Sequence, residues 1–177
     1  MDDTTERSAA VEVRLAVDAT EWRAARALVH DLAAWVRERT GLDLRTAQRG
    51  FAAEVDDLPA LYRPPSGRFL LAWADGVPVG SAAIRRHADG SGELKRMYVR
   101  PGARGLELGD RLVEGALSIA RRDGLRSVWL ETAIGVMDPA IELYRRHGFA
   151  ERTTTDASID HPELLTMERS LLPVPAA

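Results

Sequence analysis

Val11, Val13, Leu15 and Val17 alternate with Glu12, Arg14 and Ala16, the two-residue period of a half-buried strand. The spacing then lengthens. Ala25, Leu28, Val29, Leu32, Trp35 and Val36 share one helical face, opened by Asp18 with Glu21 three residues on and closed by Gly41. Phe51, Val55 and Leu58 predict a short second helix ended by Pro59, with a loop over 62–67. Residues 69–73 and 77–86 read as strands around an Asp75-Gly76 hairpin turn, Pro78 marking a strand end or a sheet edge. A second turn at 89–92 leads to a strand at 93–99. Leu108, Leu112, Ala116 and Ala120 recur every four residues, widened by Val113, Leu117 and Ile119, so 109–123 is a helix that Gly124 stops. Residues 126–132 form the next strand, parallel to 93–99 if that helix is a crossover. Asp138 as cap and Pro139 at the first position open a further helix, in which Ala140, Leu143 and Tyr144 share a face. Strands near 151–155 and 164–171 follow, with a polar loop between them holding Asp156, Asp160, His161 and Pro162.

Composition narrows the classes. A chain of 177 residues suits one domain with a single core, expected over 11–172 between a disordered tail (1–10) and a C-terminal tail (173–177). The net charge of -3 argues against a nucleic-acid partner. With no cysteine, disulfides, thiolate metal sites and thiol nucleophiles are excluded. His30, His87, His147 and His161 lack ligand spacing, so no metal is expected. No apolar run suits a bilayer and the first residues do not resemble a signal peptide, which makes a cytoplasmic location without membrane partners the expectation. Arg85, Arg86, Lys95 and Arg96 form a basic cluster across two strands, either a solvated sheet face, which is favoured, or a seat for an anionic group.

Strand 94–99 stops at Pro101-Gly102 and passes through Arg104-Gly105-Leu106-Glu107-Leu108-Gly109 into the 109–123 helix. A strand turning through glycines into a helix leaves the first helical N–H groups unpaired, and with the helix dipole they make a seat for an anion such as a pyrophosphate. Gly105 and Gly109 let backbone approach such a ligand without a Cβ in the way. This run resembles the acyl-CoA-binding motif of the GNAT superfamily of N-acetyltransferases, Arg/Gln-x-x-Gly-x-Gly/Ala. Arg104, Leu108 and Gly109 match, and Glu107 stands where the family usually has its middle glycine. A second block, AIELYRRHGF at 140–149, resembles the family's helix ending in Leu-Tyr-x-x-x-Gly-Phe. The element order β-α-α-β-β-β-α-β-α-β-β is also that of the family. The resemblance therefore implies an α/β (α+β) GNAT fold: a mixed, mostly antiparallel sheet with a splayed parallel strand pair and helices on both faces.

It implies a chemistry too. Acetyl-CoA is the expected cosubstrate and a small or amino-acid-like amine the acceptor, whose direct attack on the thioester agrees with the absence of a nucleophilic cysteine. Tyr144 is the candidate acid, its hydroxyl directed at the CoA sulfur; the alternative is a core tyrosine with its hydroxyl at the rim. Glu93 is the leading base candidate, with a merely solvent-exposed position as its equal alternative, and Glu131 is the reserve as base or amine-binding carboxylate. Met97, Tyr98 and Val99 would offer backbone groups to pantetheine. Arg104, Gly105, Leu106, Glu107, Leu108, Gly109 and Asp110 would line the pyrophosphate. Trp35 is a candidate wall of the acceptor pocket, against a core role for both Trp22 and Trp35. Glu107 either turns its side chain to water, the favoured picture, or is strained if the position needs a positive φ. A CoA-sensing module without turnover, a protein acetyltransferase, and pairing with a second copy all stay open.

Overall fold

The computed structural model describes residues 9–153 and 164–172. The opening alternation forms β1 (Val11–Leu15), and α1 (Ala19–Thr40) follows. Asp18 accepts from the N–H groups of Thr20 and Glu21, while Glu21 reaches back to the Asp18 N–H, a complete capping box. Gly41, at φ 73°, closes α1 in the left-handed conformation that glycine tolerates best.

Where one short helix is expected, the chain makes three: α2 (Leu44–Ala47), α3 (Phe51–Asp56) and α4 (Leu58–Tyr62). Pro59 lies in the first turn of α4 and does not end its predecessor, since the Asp57 carboxylate caps α4 and a first-turn proline needs no N–H donor. The meander β2 (Gly67–Ala74), β3 (Val77–Arg86) and β4 (Ser91–Val99) comes next. Pro78, second residue of β3, marks a strand end as expected, while β3 itself is an interior strand and not an edge; Pro78 lies opposite Trp73 where the β2–β3 register shifts. A 3-10 turn at Pro101–Ala103 leads to α5 (Leu108–Arg122), then β5 (Ser127–Ala133), α6 (Asp138–Arg146), β6 (Ala150–Glu151) and β7 (Leu164–Ser170). Asp138 is not the cap of α6; Met137 holds that place, and the Asp138 carboxylate accepts from the Gly135 N–H at 2.7 Å. The polar loop with Asp156, Asp160, His161 and Pro162 lies outside the described residues.

The strands make one sheet in the order β1-β2-β3-β4-β5-β7-β6, antiparallel except for β4 beside β5. Helices cover both faces. Leu112, Ala116 and Leu117 of α5, with Ile141 and Tyr144 of α6, bury against Leu70, Ala82, Ile84 and Leu94. On the other face Leu28, Val29 and Leu32 of α1, with Phe51 and Leu58, bury against Phe69, Leu71, Ala83 and Tyr98. Each fully buried leucine of this kind contributes about 2 kcal/mol. The α/β mixed sheet with a single parallel pair is the architecture the resemblance implies.

Candidate active site

The parallel pair holds together only at its start. Ser91, Gly92 and Glu93 face Ser127, Val128 and Trp129, after which β4 continues with β3 and β5 continues with β7. A cavity of about 340 Å³ fills the opening. Side chains reach it from both sides of the sheet. Glu93, Lys95 and Glu131 line it on the α1 side, Met97, Ala140 and Tyr144 on the α5–α6 side, and Leu32, Val36, Leu44 and Gln48 roof it.

A bulge sets this arrangement. Ser81 pairs with Tyr98 but Ala83 with Lys95, so β4 carries one extra residue, and Arg96 sits there at φ 54°. The Ser81 hydroxyl donates to the Arg96 carbonyl at 2.8 Å and fixes the kink. Arg96 thereby joins Lys95 on the α1 side and is not part of a solvated basic face. Its Nε and Nη2 donate to the two Glu54 oxygens at 2.5 and 2.7 Å, and Nη1 donates to Gln48 Oε1 at 2.9 Å. Tyr62 donates to Glu54 at 2.7 Å, and the guanidinium lies over the Phe51 ring. Burial works to raise the Glu54 carboxyl, but the hydrogen bonds and charge of Arg96 outweigh it and hold it below the usual glutamate range. No local sequence signal marks this cluster, because its partners lie 42 and 48 positions from Arg96.

Tyr144 is buried at 5% exposure, its ring edge-on to Phe149 with centroids 5.8 Å apart. Burial pushes its phenol well above the ordinary value, so it stays protonated. No hydrogen-bond partner for that hydroxyl is found among the described residues. Glu93 is also buried, in contrast to the solvent-exposed alternative. Its Oε1 accepts from Lys95 Nζ at 2.6 Å and its Oε2 lies 3.1 Å from His87 Nε2. Ligand spacing gives no sign of His87; hairpin register, which sets it diagonal to Glu93, is the signal that marks it. Glu131 lies two residues beyond Trp129 on the same side of β5 and lines the cavity as well.

The glycine loop stands apart from the cavity. Arg104 Nε donates to the Val99 carbonyl at 3.4 Å, and its guanidinium lies 5.6 Å from the Trp35 ring centre. Trp35 is half-buried and lies between Arg104 and Arg39; it is not among the residues lining the cavity. Gly105 has φ 90° and open space where a Cβ would stand. Gly109 serves helix packing, since a Cβ there would meet Leu143 at 3.2 Å. Glu107 is exposed, as the favoured picture has it, yet it also sits at φ 55°, where glycine is at ease and glutamate is not. The first bond of α5 runs from Arg111 N–H to Glu107 O, leaving the N–H groups of Leu108, Gly109 and Asp110 ahead of it. The Asp110 carboxylate turns to His147 Nε2 (2.9 Å) and Arg146 Nη2 (3.2 Å). Burial would raise Asp110, but these hydrogen bonds outweigh it and hold it below its usual value. Met97 faces the cavity, whereas Tyr98 points to the α1 side and Val99 packs toward α5. No group of three or more His, Asp or Glu placed to hold a metal is found among the described residues. None of the helices among them is long and apolar enough to cross a membrane.

Comparison with known proteins agrees with this geometry. The model of the Acetyltransferase (GNAT) family matches residues 40–149. A protein of Azospirillum brasilense named IAA acetyltransferase is 41% identical over 116 residues, 65% of this chain and 74% of the relative. Streptothricin acetyltransferase of Streptomyces lavendulae is 38% identical over 86 residues, 48% of this chain and 45% of the relative. Among solved structures, a GNAT acetyltransferase of Staphylococcus aureus superposes with a TM-score of 0.74 at 19% identity, covering 92% of this chain and 100% of its own. The yncA protein of Salmonella typhimurium, solved with acetyl-CoA, superposes with a TM-score of 0.66 at 20% identity, covering 94% and 97%. A fold split between β4 and β5, two motif blocks at its edges and a family match across most of the chain lead to one assignment: the chain belongs to the GNAT family of acetyltransferases.

Proposed function

We propose that the chain transfers an acetyl group from acetyl-CoA to the amine of a small or amino-acid-like acceptor by direct attack. The observation that carries this reading is that Glu93 and Tyr144, from opposite sides of the sheet, line one cavity at the point where β4 and β5 part. Tyr144 adds a specific reason. A phenylalanine would pack against Phe149 as well, so a role toward a ligand in the cavity that Tyr144 lines explains the presence of a hydroxyl.

The chain fits acetyl-CoA in two places. The Leu108, Gly109 and Asp110 N–H groups and the space at Gly105 suit a diphosphate, and the β4 main chain beyond Glu93 has no strand partner on the β5 side for pantetheine. Asp110, paired with Arg146 and hydrogen-bonded to His147, has its carboxylate engaged and its repulsion toward that diphosphate reduced. Acetyl-CoA would supply an acetyl thioester whose sulfur leaves as a thiolate. Tyr144 donates a hydrogen bond to that sulfur, and Glu93 takes a proton from the acceptor's ammonium. Leu32, Val36 and Leu44 give the roof above the gap an apolar lining.

A cavity of about 340 Å³ is of a size that suits a small acceptor. Relatives named for streptothricin and aminoalkylphosphonate support the same class. Incubation with acetyl-CoA and a panel of small amines, read as free thiol released, tests the proposal. Turnover with at least one amine is expected; tight CoA binding without turnover on any amine would make the chain a sensor instead.

A further inference from the structure

His87 stands where a proton leaving Glu93 would meet water. It follows β3, and its N–H donates to the Ser91 carbonyl at 2.9 Å across the hairpin, which makes Glu93 its diagonal neighbour on one face. The imidazole leans on Trp129, ring centres 5.4 Å apart, and the Trp129 indole N–H donates to the Ser91 hydroxyl at 3.3 Å. This holds Nε2 at 3.1 Å from Glu93 Oε2. The His87 side chain is 34% exposed and that of Glu93 only 7%. One carboxylate oxygen thus faces Lys95 inside the cavity wall and the other faces a ring in contact with solvent. The charged groups around that ring are Glu93 and Lys95 of β4, Asp89 of the hairpin, and Arg152 on the Trp129 ring at 5.7 Å. Arg126, before β5, donates to the Asp89 carbonyl and holds the hairpin in place.

The reaction has a proton to dispose of. The acceptor nitrogen forms a bond to the thioester carbonyl carbon, and the carbon–sulfur bond breaks. An alkylammonium gives up two protons on becoming an amide; one ends on the CoA sulfur, and the other must reach water. A buried carboxylate that has taken this proton is useless for a second turnover until it loses it.

We propose that His87 carries that proton out. Glu93 Oε2 passes it to Nε2 of the neutral imidazole, and the resulting imidazolium releases a proton to the water that bathes its ring. The inference rests on Glu93 being the base. Its test uses three variants of the full chain in the thiol-release assay. His87→Gln keeps a side-chain amide able to bond Glu93 but carries no proton, and is expected to lower kcat about tenfold or more with acceptor KM and Tm near those of the wild type. His87→Ala is expected to regain rate with added imidazole, in step with the neutral fraction of imidazole as pH is varied. Wild-type kcat and an unchanged pH profile in His87→Gln would overturn the proposal, and so would a loss in His87→Ala that imidazole leaves untouched. Glu93→Gln separates the two levels: full activity in that variant removes the base and the relay together, whereas its loss beside an intact His87→Gln removes the relay alone.

Discussion

Lys95 and Arg96 are neighbours on one strand, each pairs with a buried glutamate, and the two pairs do different work. Arg96 and Glu54 lock each other from both ends: both carboxylate oxygens are held by the guanidinium, Tyr62 adds a third donor, and Gln48 takes the remaining arm. Such a pair ties the α2–α4 segment to the β4 bulge and has no outlet for a proton. Lys95 holds only one oxygen of Glu93, and the other meets His87 at the protein surface. The difference teaches that burial and a salt bridge do not by themselves mark a functional carboxylate; what distinguishes Glu93 is a connection to both the cavity and solvent.

The largest effect should come from breaking the locked pair. Arg96→Met leaves the Glu54 charge buried without its partner, and a loss of about 3–5 kcal/mol in urea unfolding is expected, with Glu54→Leu added to it restoring much of that loss. The pair also has a pH signature. Glu54's carboxyl is held below its unfolded value, so its contribution is complete above the ordinary glutamate range and is lost as pH falls through the folded value. Wild type should therefore lose more stability than the double variant between about pH 7 and about pH 3.

Next in size is the Glu93 pair, whose carboxylate is the proposed base. Glu93→Gln should cost kcat about a hundredfold while its unfolding free energy changes less than that of Arg96→Met. Equal damage to stability in both variants would erase the distinction drawn between the two pairs. The smallest effect belongs to the glycine loop. Glu107→Gly relieves a left-handed glutamate at φ 55° and should raise stability by about 1 kcal/mol, with equal or tighter acetyl-CoA binding in calorimetry.

Local chemistry was legible in the sequence where its cause is local. The Asp18/Glu21 cap, the Asp75-Gly76 turn, the α5 stripe and the Gly105 turn each depend on residues within a few positions, and each appears where the spacing puts it. Residues 42–67 hold three short helices rather than one: α2 and α4 have local caps in Asp43 and Asp57 that hydrophobic spacing does not register, and the segment is held by distant Arg96 through Glu54 and Gln48. The basic cluster was misread because a one-residue bulge turns Arg96 inward, and periodicity cannot see a bulge. Of the candidate site, Glu93, Glu131, Met97 and Tyr144 come together at one cavity, while Trp35 belongs with Arg104 at the loop; hairpin register alone brings in His87.

Everything functional in this account turns on the Tyr144 hydroxyl facing a leaving sulfur in the gap between β4 and β5. Steady-state turnover of Tyr144→Phe, measured beside acetyl-CoA affinity by calorimetry, tests this most directly. The expected result is a kcat lower by about a hundredfold with affinity and Tm nearly unchanged, because the ring packing survives and only the hydroxyl is removed. Wild-type turnover in Tyr144→Phe would contradict it.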